Sequence, residues 1–181
     1  RLAETFARLR AEGRPGLVTY TTAGDPDLQR SGDILRALAR AGADVLEVGV
    51  PFSDPLADGP VIQRATERAL AAGGSMRASL DLIEQVRKDI DTPIVVFSYA
   101  NPIVRMGLDA FAARAAEAGV DGVLALDLPV EEADEFRAAL DKVGIDTIFL
   151  LSPTTPEERI RKAGQLGRGF LYGISRLGVT R

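Results

Sequence analysis

The sequence contains no cysteine and no histidine. Without cysteine there is no disulfide framework, and the expected compartment is the cytoplasm. Without histidine or cysteine, Ser-His-Asp and Cys-His nucleophilic sites are excluded, and zinc loses its usual nitrogen and sulfur ligands. Lysine is scarce: Lys88, Lys142 and Lys162 are the whole set. All three lie in charged helix-like or turn contexts and none in a strand, which argues against a Schiff-base lysine inside a barrel. No apolar run reaches membrane-spanning length and no charged-then-apolar signal segment opens the chain, so no membrane association is expected. The formal net charge of -4 is spread over both signs without a basic stripe, which argues against nucleic acid as a partner. Carboxylate and tyrosine are what remain for acid–base work.

The 181 residues, 46% hydrophobic and 27% charged, suit one globular domain. Leu2, Phe6 and Leu9 recur at helical spacing and predict an opening helix over 2–12. Strands are predicted at 16–21, 45–50, 93–99, 122–126, 145–151 and 169–174, with helices over 27–41, 61–72, 76–90, 108–118, 131–142 and 155–165 between them. Three joints nearly repeat: AGADVLEV at 41–48, AGVDGVLA at 118–125 and VGIDTIFL at 143–150. Each places a glycine at a helix end, where the left-handed cap conformation is free of steric cost, then an aspartate and a strand. Such repetition means one βα unit after another. Continuous apolar strands imply a sheet covered on both faces, either a doubly wound open sheet or a (β/α)₈ barrel. No Gly-rich dinucleotide fingerprint follows any strand, which favours the barrel. Residues 1–181 are then a single TIM-barrel domain holding an N-terminal helix and the first six βα units, incomplete at its C-terminal side.

The stretch Val45 to Pro60, VLEVGVPFSDPLADGP, concentrates the candidate chemistry. Alternation puts Val45, Glu47 and Gly49 on one face of the strand and Leu46, Val48 and Val50 on the other. In a barrel the first set faces the interior, with Glu47 near the C-terminal mouth where barrel active sites are built. An apolar pocket raises a carboxyl pKa and suits it to proton transfer; the alternative is a glutamate tied to a structural arginine. Asp58 lies in a turn-rich loop, where the competing reading is a turn or helix-capping aspartate, with Pro60 opening the next helix. Asp54 carries the same alternative. Tyr172 on the last strand either lines a pocket or is a core aromatic. Ser98 to Asn101 and Asp127 with Pro129 follow strands three and four, and are mouth or partner-surface candidates. Ser175 to Thr180 is a Gly-containing loop, either mobile or an ordinary connection.

LEVGVPFSDPLADGP at 46–60 resembles the signature of the tryptophan synthase alpha subunit family. The similarity extends to TTAGDP at 21–26, FSYANPI at 97–103, DLPVEEADEFR at 127–137 and GFLYGISRLGVT at 169–180, in the same order and spacing. The resemblance implies a (β/α)₈ barrel that performs a retro-aldol cleavage of indole-3-glycerol phosphate to indole and glyceraldehyde 3-phosphate. It implies no cofactor for this chain, pyridoxal phosphate belonging to the beta subunit of an alpha2beta2 tetramer. Glu47 matches the family's acid–base glutamate and Asp58 the aspartate that attends the indole nitrogen. Tyr20, Phe97, Leu124 and Tyr172 match pocket positions, Tyr20 standing where a phenylalanine is usual. Thr180 matches the threonine of a loop that closes over the site, and Pro55 and Asn101 match positions facing the beta subunit. Arg181 stands where the family has a phosphate-binding glycine, and the segments of strands seven and eight, which carry most of the phosphate site, are not in the sequence. On that ground the 181 residues alone are expected to be weakly active or inactive. The alternatives are a non-catalytic chain that only binds a beta subunit, and another phosphate-binding barrel isomerase.

Overall fold

The computed structural model describes residues 1–175. Thr180 and Arg181, and with them the expected loop threonine, lie outside the described residues. Helix α1 (Leu2–Glu12) turns its apolar face inward through Leu2 and Leu9 and ends at Gly13, left-handed with φ 64°. Strand β1 (Val18–Thr22) leads to α2 (Leu28–Arg40), whose first turn is capped by the Asp27 carboxylate accepting from the Arg30 amide at 2.8 Å. Strand β2 (Val45–Gly49) is buried at every residue. Pro60 opens α3 (Pro60–Ala71), where a missing N–H costs no helical bond. Ser75 caps α4 (Met76–Arg87), and β3 (Ile94–Ser98) follows. Then come α5 (Ala100–Met106), α6 (Leu108–Ala118), β4 (Gly122–Ala125), a 3₁₀ turn at Val130–Glu132, and α7 (Asp134–Asp141). The described chain closes with β5 (Asp146–Thr147), β6 (Phe149–Leu151), α8 (Glu157–Leu166) and β7 (Leu171–Gly173).

All strand pairs are parallel. One sheet runs β1-β2-β3-β4-β5 and a second pair is β6-β7. The expected fifth strand is interrupted at Ile148, yet the Ile148 amide still donates to the Val123 carbonyl at 2.9 Å, so the run continues past the break. Spatial order equals chain order with no reversal. A doubly wound sheet reverses its order at a switch point, so this is the winding of a barrel. Two layers of apolar side chains follow from the period of two. Leu46, Val48 and Val50 pack outward with Leu80, Ile83, Ile94, Val96 and Phe111 against the helices. Val45, Val95, Leu124 and Ile148 form the inner cluster, closed at one end by Leu2 and Phe6 of α1.

Three helix boundaries differ from the periodicity. The segment Ala100–Met106, expected as loop, is helical: Pro102 sits in its first turn, where proline is tolerated, and Gly107 ends it. The expected helix over 131–142 divides at Ala133, and the one over 76–90 stops at Arg87. Among the described residues no helix is long and apolar enough to cross a membrane.

Candidate active site

Register fixes which side chains meet. Tyr20, Glu47 and Val95 lie side by side across β1, β2 and β3, and the next inward row is Thr22, Gly49, Phe97 and Leu124. Glu47 is 3% exposed. Among the described residues nothing hydrogen-bonds its Oε1, and no arginine pairs with it. A structural ion pair is therefore not what holds it there. Burial pushes its carboxyl up to about 7, because the charged form loses solvation that no partner replaces. A carboxyl near that value both gives and takes a proton at neutral pH.

The flanking strands bring aromatic side chains beside Glu47. Tyr20 meets Phe97 edge-on at 5.6 Å between centroids, and Phe97 meets Tyr172 at 5.9 Å, also edge-on. Tyr172 and Phe97 pack on the inner cluster that contains the fully buried Leu124, so Tyr172 is a half-buried aromatic at the border of the core. Burial raises the Tyr20 hydroxyl to about 12, and burial followed by the nearby Glu47 raises that of Tyr172. Both stay neutral donors at working pH.

Gly49 makes room for this arrangement. A Cβ there would collide with the Tyr20 hydroxyl and stand 2.5 Å from its ring. Gly49→Ala is expected to displace the Tyr20 ring and destabilise the fold by about 1–3 kcal/mol, as overpacking does. Urea denaturation measures it, and an unchanged midpoint would show that the ring moves freely.

Asp58 comes from the loop between β2 and α3. The backbone there is a turn: its amide donates to the Pro55 carbonyl at 3.0 Å, and Gln63 Nε2 donates to its own carbonyl at 2.9 Å. The side chain does not cap α3, whose N-cap is Gly59 without a side-chain bond. Instead Asp58 Oδ2 accepts from the Tyr99 hydroxyl at 3.2 Å. Burial raises its pKa and the Tyr99 bond opposes the rise. Its charge acts on Tyr20, as does that of Glu47, so both carboxyls flank one tyrosine.

Asp54 lies outside this group; it is exposed and accepts from the Ser53 hydroxyl at 2.6 Å. Asp127 accepts from the Ala100 amide at 2.6 Å and so holds the start of α5, a role no local pattern marks. Pro55 is half-buried and Asn101 exposed, one on the Asp58 loop and one on α5. Leu126 and Leu150 border the inner cluster and also line a cleft of about 250 Å³ with Asp127, Pro129 and Arg159. Sequence reasoning placed Tyr99 only within the Ser98–Asn101 mouth segment and did not single it out; its bond to Asp58, 41 residues away, is what distinguishes it. Among the described residues no three His, Cys, Asp or Glu side chains gather as metal ligands.

The family profile described as "Tryptophan synthase alpha chain" matches residues 6–181. The chain belongs to the tryptophan synthase alpha chain family. It is 55% identical over 181 residues to the tryptophan synthase alpha chain of Burkholderia thailandensis, covering 99% of this chain and 67% of that protein. Among solved structures, tryptophan synthase subunit alpha from Legionella pneumophila superposes with a TM-score of 0.93 at 45% identity, over 96% of this chain and 67% of the other. Mycobacterium tuberculosis tryptophan synthase gives a TM-score of 0.95 at 41% identity, over 99% and 70%. The tryptophan synthase complex from Pyrococcus furiosus gives 0.84 at 44% identity, over 87% and 65%. With the unreversed strand order, these alpha-chain neighbours establish the fold as that of the family's barrel.

Proposed function

We propose that the chain carries the acid–base apparatus of the alpha reaction, the retro-aldol cleavage of indole-3-glycerol phosphate to indole and glyceraldehyde 3-phosphate. The observation that carries this reading is Glu47: a buried carboxyl with an unpartnered oxygen, raised by burial to about 7, beside the edge-on aromatic pair Tyr20–Phe97. Glu47 in its acid form protonates indole C3. Asp58 takes up the positive charge at the ring nitrogen by accepting its hydrogen. The Glu47 carboxylate then receives the proton of the glycerol hydroxyl. The carbon–carbon bond breaks, its electrons return to the ring, and Asp58 gives the hydrogen back to nitrogen. Both carboxyls end as they began, and the aldehyde leaves as glyceraldehyde 3-phosphate.

Tyr20, Phe97, Leu124 and Tyr172 form the indole pocket in this reading, and Thr180 belongs to the loop that closes it. Pro55 and Asn101 face a tryptophan synthase beta subunit in an alpha2beta2 assembly. Their places on the Asp58 loop and on α5 support that assignment. Pyridoxal phosphate is the beta subunit's, and the steps above draw only on this chain's side chains.

Indole release from indole-3-glycerol phosphate, followed on the natural protein with and without the beta subunit, tests the reading. Asp58→Asn is expected to lower turnover about 10²-fold or more, as loss of charge stabilisation at a developing cation does. Full activity in that variant would remove Asp58 from the mechanism. No indole under any condition would leave only a chain that binds the beta subunit.

A further inference from the structure

Tyr99 stands between β3 and α5, at the mouth of the barrel, and is 6% exposed. Its ring packs on Phe52, with centroids 5.2 Å apart, at the start of the loop that carries Asp58. Its hydroxyl reaches the far end of the same loop. There it accepts from the Ala57 amide at 2.9 Å and donates to Asp58 Oδ2 at 3.2 Å. One side chain therefore ties both ends of the loop to β3. A phenol has a single proton to donate. Because the Ala57 amide occupies an acceptor site of that oxygen, the proton is directed at the carboxyl.

We infer that Tyr99 is a positioning residue for the proposed cleavage: its hydroxyl occupies Oδ2 of Asp58 and so turns Oδ1 toward the indole nitrogen. The inference rests on the functional reading above and adds a residue to it. The groups that act on this pair are few. Tyr20 from β1 and Glu47 from β2 share the interior with Asp58, and Asp127, after β4, acts on the Tyr99 hydroxyl. Burial favours a protonated Asp58. Against it the Tyr99 hydroxyl is the donor that favours the carboxylate.

Tyr99→Phe keeps the ring on Phe52 and removes the donor. Expected are a fall of about tenfold in kcat/KM for indole release at neutral pH, carried by kcat rather than KM, and an acidic limb of the pH profile moved upward by about one unit. The Asp58 carboxyl, followed by carbon-13 NMR in aspartate-labelled protein, should titrate at a correspondingly higher pH. A 3-fluorotyrosine at position 99 preserves shape and strengthens the donor, and should move both midpoints the other way. If neither substitution moves the Asp58 midpoint, Tyr99 is a packing residue and the inference is overturned, whatever happens to the rate. If the unaltered protein releases no indole, the functional reading fails, while the NMR midpoints still decide whether Tyr99 governs Asp58. Should the phenylalanine variant fail to fold, the fluorotyrosine protein carries the same decision alone.

Discussion

Glu47→Gln is expected to lower indole release by about 10²–10⁴-fold while leaving the barrel folded, the usual cost of deleting a general acid–base group. The glutamine fits the same volume in the same row between Tyr20 and Val95. It cannot give up or accept the proton at C3. The same variant has a second, independent signature in stability. Glu47 titrates near 4.5 when unfolded and near 7 when folded, raised by burial. The folded state thus holds the proton more tightly. The stability this supplies is fully present below about pH 4.5, falls as pH rises, and is gone above about pH 7. The amplitude is on the order of 3 kcal/mol. Glutamine does not titrate, so the difference in unfolding free energy between the two proteins should shrink or reverse between pH 5 and pH 8. Urea unfolding across that range measures it. Parallel stability profiles would mean that Glu47 is charged in the folded state and already paired, and the proton-shuttle role would go with it.

The side of the strand on which Glu47 falls was legible because a strand has a period of two and its neighbours are apolar on both faces. The alternation that put Val45, Glu47 and Gly49 inward and Leu46, Val48 and Val50 outward matches the two observed clusters. The helix-end glycines were legible for a similar local reason. Gly42, Gly119 and Gly144 all have positive φ, at 100°, 83° and 73°. What the aspartates after them do was not legible. Asp44 accepts from the Leu17 amide at 2.9 Å and Asp121 from the Ile94 amide at 2.9 Å, so two of the three repeats clip the preceding strand at its start. Those partners lie 27 residues away in each case, beyond any local pattern. Asp58 shows the same limit. Turn chemistry described its backbone correctly, but Tyr99, 41 residues on, decides where its carboxyl points. Helix α5 escaped notice because its seven residues include a proline and are too few to show a period. Gly49 was read as an inward position, and its function appears only with the Tyr20 ring in place.

Asp121→Ala is expected to cost about 3–5 kcal/mol, the range for removing one partner of a buried ion pair. Asp121 and Arg87 have side chains 7% and 12% exposed. Arg87 Nη2 donates to Asp121 Oδ2 at 2.8 Å, and the same guanidinium donates to the carbonyls of Gly119 at 2.9 Å and Thr92 at 2.8 Å. Burial lowers the Arg87 pKa and the charge of Asp121 opposes the change. Alanine would leave a cation among carbonyl dipoles without its counter-charge, and it would also orphan the Ile94 amide at the first residue of β3. Asp121→Asn should lie between, since an amide oxygen can still accept from Ile94 while the charge is lost. The clamp sits at the opposite end of β3 from Phe97 and Tyr99. The folded fraction of either variant should therefore keep its turnover per molecule, while the denaturation midpoint drops. A midpoint shift worth less than about 1 kcal/mol for Asp121→Ala would show the pair to be no stronger than an exposed salt bridge. A loss of turnover in folded protein would instead show that the start of β3 controls the geometry at its far end.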